Sequence, residues 1–445
     1  MCDTFVVMPS SSKNHKTWFA KNSDRSPNEP NLIIYTKAKE YNTATNPTVK
    51  LTYISIPQVE STNSVLMVKP SWTWGCEMGI NNRGVTIGNE AVFNRHTKGE
   101  DSLIGMDICR LVLERCSSAF EGMRMIGELI VEYGQGGNCG FDSDFHYDNS
   151  FIIADSSEAY VVETFKHSWV GKKIDDLYAI SNVLTIEKDW DYCSENLSSK
   201  KGKLNFTKYN DVLRTYYSGG GIRRFEVCLS LLDDRDGPLI KTITGIFLGQ
   251  QAMERGKAVG IDYESCRGTL RRHREDGGAM ESPCMHYGGL FSSQTTGSMI
   301  CCAEDNFVSV TGGSAPCRSV FKQFSLEGEL PFGDNEDEAT QYWLRRELIQ
   351  RNILGGKIER DDYLRRAAEV EKEIDLLADA LFIAKPTDFN RRVFDIEDKF
   401  VAELFDRCSV NIDDITPKLG NKSSIRRWRE KNKVFLSLIA EHELR

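Results

Sequence analysis

Short apolar runs bounded by Gly, Asn, Ser or Lys dominate the first 190 residues of the chain. "DTFVVM" and "WFAKNSD" are β-like runs separated by a Ser/Lys/Asn turn, and they predict a hairpin at the very N-terminus. "LTYISI", "NSVLMVK" and "GVTIGNEAVF" follow, each enriched in β-branched or aromatic residues, and predict further antiparallel strands. The period then changes. Leu103, Met106, Leu111 and Leu113 mark one helix-prone stretch, and Phe120, Met123, Ile126, Ile130 and Tyr133 recur at helical spacing in a second. Ser118 is placed to cap that second helix and Gly134 to close it.

Strand signals return in "NSFIIAD", "EAYVVET" and "LYAISN", then in "SMICCA" and "NFVSVTGG", so strands from both ends of the region bracket the helices. A layered α+β architecture is expected. After Phe324 the texture becomes densely and evenly charged, and Leu364, Ala367, Val370, Ile374, Leu377 and Leu381 form one apolar stripe that Pro386 ends. The expected organisation is a domain over residues 1–330 and a charged helical extension over 331–445, its amphipathic helices covering the core.

Composition narrows the function. At 445 residues the chain is long enough to bury a substantial core, and its 12 prolines argue against disorder. A net charge of −9 opposes general nucleic-acid binding, which needs clustered Lys and Arg. No apolar run reaches bilayer length, and the first residues lack a basic, then apolar, leader, so a soluble cytoplasmic protein is expected. Thirteen cysteines, an odd number without paired spacing, do not resemble a disulfide framework, and no pair of CxxC units points to structural zinc. "YYSGGGIRR" does not fit a dinucleotide loop and no phosphate-binding GxxxxGK[ST] occurs, so no cofactor is expected. "NCGFDSDFHYDNS" gathers Cys139, Asp142, Asp144, His146 and Asp148, but its spacing lacks the glycine and closing Glu of a calcium loop, and it reads as a polar loop.

The candidate chemistry starts at "MCDTF". Removal of Met1 before the small Cys2 leaves one residue with a thiol and a free α-amine, whose ordinary pKa of about 8 suits a general base. One residue then supplies nucleophile and proton acceptor, with no catalytic histidine. The hairpin brings Cys2 near "FAKNSDR", where Lys21 can compensate negative charge and Asp24 can orient the amine, beside Asn22 and Arg25. Asn89, in the Gly- and Asn-rich "WGCEMGINNRGVTIGNEAVF", and Asn182, after an apolar strand, offer amides to an oxyanion.

Together "CDTFV", "KNSDR", "WGCEMGINNRGVTIGNEAV", "YGQGGNC", "NSFIIAD", "ISNVLTI", "CMHYGG…SQTTGSM" and "RSVFKQF", in consistent order from Cys2 to Phe324, resemble the secernin branch of the C69 dipeptidase family. The resemblance implies an N-terminal nucleophile hydrolase, an αββα sandwich with two antiparallel sheets between helical layers. It implies cysteine-dependent cleavage of an amide bond in a short peptide. By motif, Cys2 is the implied nucleophile, Lys21 and Asp24 the pair that activates it, Asn89 and Asn182 the amides of the intermediate, and Arg318 a substrate-binding residue. Related cysteine acyl hydrolases carry Arg where this chain has Lys21, which keeps charge and loses bidentate geometry. Charged insertions between Asp189 and Pro283 and the helical extension leave room for a homo-oligomer and for altered access. A nonpeptide amidase or acylase, and a scaffold or trafficking protein linked to exocytosis, are the alternatives.

Overall fold

The structure is a computed structural model, and residues 2–94, 99–210, 260–273, 282–288, 293–381 and 388–444 are described. Pro386 and "YYSGGGIRR" lie outside them. Two large sheets, antiparallel throughout, form the centre. The first has six strands in the order Leu177–Ile180, β1 (Cys2–Val7), β2 (Trp18–Arg25), Gln294–Cys302, Phe307–Val310 and Lys322–Ser325. The second has eight, in the order Tyr192–Cys193, Ser168–Ile174, Ala159–Phe165, Asp148–Ala154, Thr86–Val92, Met78–Asn81, Val65–Pro70 and Asn31–Thr36.

Period-2 alternation explains the layering. Along the N-terminal hairpin, Val6 and Phe19 point into the core between the sheets, while Phe5, Val7, Trp18 and Ala20 point outward to meet Cys266 and Leu270 of the helix Tyr263–Arg271. On the far side, α1 (Gly105–Arg115) and α2 (Ala119–Tyr133) pack on the eight-stranded sheet, where Ile108, Val112, Met123 and Ile126 join Ile87 and Phe151 in a second core. The order of layers is helix, sheet, sheet, helix. Ser118 caps α2 by accepting from Glu121 N at 3.2 Å, and Gly134 closes it with φ of 72°. Phe120, expected on the apolar stripe, is 38% exposed.

One expected strand is displaced. In "LTYISI" only Ser55–Pro57 is extended, in a small ribbon with Thr48–Lys50. Leu51 packs with the α1 and α2 side chains, and Thr52 donates through N and Oγ1 to buried Asp107, at 3.2 and 2.7 Å, so the Thr52 amide is taken by a helix rather than by a sheet.

The helices Glu336–Leu354, Arg360–Leu381, Phe389–Asp406 and Lys422–Glu441 follow the last strand. The first packs on Asn31–Thr36, and the second and third cover Lys322–Ser325. Trp343, Leu344, Phe400 and Phe435 are buried in the same core as Val6 and Phe19, and Trp343 Nε1 donates to Thr296 O at 2.9 Å. On Arg360–Leu381 the buried line runs through Tyr363, Ala367, Glu371, Ile374 and Ala378, with Leu364, Val370 and Leu377 at its margin. Glu371 sits on that line because it takes Arg271 through both oxygens, at 2.6 and 2.8 Å, and Phe321 N at 2.8 Å.

Candidate active site at the N-terminal strand

Sheet register assembles the site. In the β1–β2 ladder Cys2 faces Ser23 and Thr4 faces Lys21, and the pairing of Thr4 with Ile180 brings Asn182 opposite Cys2 just past the strand end. Cys2 N donates to Asn182 Oδ1 at 2.9 Å, and Asn182 Nδ2 donates to Ala91 O at 2.9 Å. The thiol accepts from Asp24 N at 3.3 Å and donates to Glu77 Oε2 at 3.6 Å. Both ends of Cys2 are thus fixed, and the residue is only 5% exposed.

Lys21 lies wholly between the sheets. Its ammonium donates to Asn89 O at 2.7 Å and Glu90 Oε1 at 3.2 Å, and Glu77 Oε2 is 3.9 Å away. Gly88 makes the room: a Cβ there would come within 2.5 Å of Lys21 Cδ and 3.0 Å of Phe19 Cζ. Glu77 is shared, because Arg25 Nη1 reaches its other oxygen at 3.2 Å while Arg25 Nη2 binds Glu29 at 2.6 Å. Glu90 also accepts from Thr4 Oγ1 at 2.5 Å.

The charges follow from this packing. Burial pushes the Cys2 thiol up to about 12, against the pull of the Lys21 cation, with the Glu77 carboxylate adding to the rise. Burial also lifts Glu90 to about 8, opposed by Lys21 and assisted by Asp3. Burial lowers the affinity of Lys21 for its proton, yet Cys2, Glu90 and Glu77 outweigh that and hold its pKa above the ordinary lysine value. A thiol buried beside carboxylates is protonated at neutral pH, so attack requires an acceptor for its proton.

The outer face of the same hairpin carries Asn22 and Asp24. Asp24 Oδ1 accepts from Thr295 Oγ1 at 2.6 Å, and Asn22 Nδ2 donates to Leu270 O and Pro283 O, both at 2.9 Å. Cys2, Lys21 and Asn182 therefore meet around one strand end, and Asp24 joins them through its backbone amide, its carboxylate lying on the outer face with Thr295 rather than at the Cys2 nitrogen. Asn89 joins them through its backbone oxygen. Its side-chain Nδ2 donates to Asn149 Oδ1 at 2.9 Å, a pair that Gly105 admits, since a Cβ there would lie 2.0 Å from Asn149 Oδ1. Arg318 is held elsewhere: its Nε donates to Gln350 Oε1 at 2.9 Å and its carbonyl accepts from Tyr363 OH at 2.6 Å. Asp142 in the polar loop accepts from Ser26 and Lys431, and Asp144 pairs with His146 at 2.7 Å.

Glu77, Glu90 and Thr295 belong to the cluster and escape a reading of the sequence. Glu77 stands between Cys76 and Met78, and Glu90 between Asn89 and Ala91 in a mostly apolar strand; a lone carboxylate in that setting is the available signal.

The sequence model of peptidase family C69 matches residues 1–219. The chain is similar to a probable dipeptidase of Latilactobacillus sakei, 32% identical over 121 residues, a match that takes in 25% of this chain and spans 24% of that relative's length. Among solved structures it is similar to a mutant conjugated bile acid hydrolase from Clostridium perfringens, with a TM-score of 0.40, 12% identity and coverage of 75% of this chain and 95% of that one. It is also similar to penicillin V acylase from Agrobacterium tumefaciens, with a TM-score of 0.37, 11% identity and coverage of 75% and 88%. Two facing antiparallel sheets between helical layers, with the strand that starts at Cys2 inside one sheet, form an αββα arrangement. Residues 1–219, just under half of the chain, are thus similar to peptidase family C69.

Proposed function

We propose that the protein is a cysteine-dependent amide hydrolase acting on dipeptides or other short peptides, with residues 1–330 as the catalytic part and 331–445 as its helical cover. The observation that carries this reading is the double anchoring of Cys2, nitrogen on Asn182 and sulfur on the Asp24 amide, beside the buried Lys21 cation. Excision of Met1 turns the Cys2 nitrogen from an amide into an amine next to its own thiol, and Asn182 Oδ1 is already in place to orient it.

In the proposed cycle the amine takes the thiol proton and the sulfur attacks the substrate carbonyl. Lys21 offsets the negative charge that Glu77 and Glu90 would otherwise add to the thiolate. The side-chain amides of Asn89 and Asn182 are the proposed donors to the oxyanion. The ammonium returns its proton to the leaving nitrogen as the C–N bond breaks, and water then hydrolyses the thioester to free acid and thiol. The ordered motifs from Cys2 to Phe324 support placement in the secernin branch and a cytoplasmic setting; among the described residues no helix is long and apolar enough to cross a membrane.

N-terminal sequencing together with a dipeptide hydrolysis screen tests the reading. The expected outcome is a mature chain beginning at Cys2 whose turnover falls by at least about a thousandfold in Cys2→Ala. A retained Met1, or equal turnover by Cys2→Ala, sinks it and favours the scaffold alternative. Turnover confined to long-chain acyl amides selects the acylase reading over the peptidase.

A further inference from the structure

On the outer side of the same sheet, away from the thiol of Cys2, three separate segments bring two histidines and two cysteines together. His273 follows the helix Tyr263–Arg271, Cys284 and His286 lie in the segment 282–288, and Cys317 lies between the strands Phe307–Val310 and Lys322–Ser325. One ligand atom from each of the four lies within 4.8 Å of all the others. His286 Nε2 is 3.5 Å from Cys284 Sγ and 3.4 Å from Cys317 Sγ, and the two imidazole rings stand 5.0 Å apart at 70°.

These separations have a specific chemical meaning. Zinc holds sulfur at about 2.3 Å and imidazole nitrogen at about 2.0 Å in a tetrahedron, which sets the S···N edge at about 3.5 Å. The two measured edges agree. His273 adds orientation: its Nδ1 is 3.2 Å from Arg271 O, and with Nδ1–H donating to that carbonyl its Nε2 carries the lone pair, the carbonyl support usual for a metal-bound histidine. Two thiolates and two neutral imidazoles balance a divalent cation, so the complex is neutral and suits its surroundings, with Cys284 buried and the other three half-buried.

We propose that His273, Cys284, His286 and Cys317 form a structural site for a tetrahedral divalent metal ion, with zinc as the fitting ion. Thiolate plus imidazole in a closed four-ligand set selects zinc over hard cations, and four protein ligands leave no open position for chemistry. The site's work is to tie loops behind the active strand. The backbone is already drawn together: Cys284 N donates to Arg272 O at 3.0 Å, and Arg271 donates to Pro316 O and Ser319 O, both at 2.9 Å. Met285, between two ligands, donates through N to Thr295 Oγ1 at 2.9 Å, and that hydroxyl donates to Asp24 Oδ1. Pro283 O receives Asn22 Nδ2. Fixing Cys284 and His286 therefore fixes the residues that hold the outer face of β2.

Elemental analysis of the full-length chain, purified reduced and without chelator, tests the proposal. The expected result is about one zinc per chain, falling below about a tenth in the double variant Cys284→Ser/Cys317→Ser while Cys193→Ser and Cys2→Ala stay at one. Independently of how the double variant folds, the wild-type chain loaded with cobalt supplies a second readout, with tetrahedral d–d bands and a thiolate-to-cobalt charge-transfer band expected. A chain that carries no zinc and gives only the weak octahedral cobalt spectrum overturns the site, as does a Cys284–Cys317 disulfide found by peptide mapping of freshly purified protein. None of these readouts depends on Cys2 chemistry.

Discussion

Lys21 and Lys322 are both wholly buried, and their charges behave in opposite ways. Lys21 sits among Glu77, Glu90 and the Cys2 thiol, and its proton is held more tightly than usual. Lys322 sits where the helix Phe389–Asp406 covers the outer strand. Its ammonium donates to Thr311 O at 2.5 Å and Val320 O at 3.2 Å, and approaches Glu397 at 3.4 Å. Glu397 is already bound by Arg346 Nε at 2.9 Å and by Arg346 Nη2. Burial then dominates, the Arg346 cation adds to it, and the Lys322 pKa falls to about 8. The same side chain at the same depth is therefore a cation bound by surplus carboxylate in one place and a weakly held proton in the other. Burial sets the cost of the charge, and the count of neighbouring opposite charges decides whether it is offset.

Removing each lysine is the most direct way to break this contrast. Lys21→Met leaves Glu90 facing the core with Thr4, and Glu77 with Arg25 and the Cys2 thiol. Loss of one partner of a buried pair is expected to cost about 3–5 kcal/mol in urea unfolding. The deficit has a pH signature. Glu90 in the folded state binds its proton up to about pH 8, above the unfolded carboxyl range, so its contribution is fully present in acid and is lost as pH rises. Without Lys21 that loss deepens, so the Lys21→Met deficit is larger at about pH 8 than at about pH 5. Lys322→Met leaves Glu397 with its Arg346 partner and is expected to fall within about 1 kcal/mol of wild type at neutral pH. Equal costs for the two variants would remove the basis of the comparison.

Gly88→Ala perturbs the first environment without deleting a charge. The added methyl meets Lys21 Cδ at 2.5 Å, and the ammonium has to leave Asn89 O or Glu90 to clear it. Overpacking of this kind is expected to cost about 1–3 kcal/mol. If the charge arrangement matters for attack, turnover falls further than stability does. A variant as stable and active as wild type would show that Lys21 has room to spare.

How much of this was legible in the chain can be judged residue by residue. The N-terminal hairpin was, because alternation in "DTFVVM" and "WFAKNSD" fixes both the strands and their facing sides. With that register, Cys2, Lys21 and Asp24 come together, and Asn182 follows from the strand that ends before it. Glu77 and Glu90 were not, since a single buried carboxylate leaves no periodic trace and its partner lies on a different sheet. His273, Cys284, His286 and Cys317 were equally hidden: their spacings match no zinc repeat, and only the approach of three loops makes them neighbours. On Arg360–Leu381 the apolar stripe predicted the helix but placed its buried line partly at the margin, because Glu371 is buried for its hydrogen bonds and a hydropathy pattern cannot register that.

The smallest effect is the most specific to Lys322. A lysine whose folded pKa is about 8 and whose unfolded pKa is about 10.5 is charged in both states below pH 8, neutral in both well above 10.5, and charged only when unfolded in between. Unfolding takes up a proton in that window, so this group adds stability as pH rises from 8 towards 10.5 and loses it as pH falls back through 8. Other groups titrate in the same range, which makes the difference between wild type and Lys322→Met the informative quantity. Between about pH 8 and pH 10 wild type should gain on the order of 2 kcal/mol relative to Lys322→Met in urea unfolding. A parallel pair of pH profiles would mean that Glu397 keeps Lys322 charged despite Arg346, and that the two lysines differ in neighbours but not in protonation.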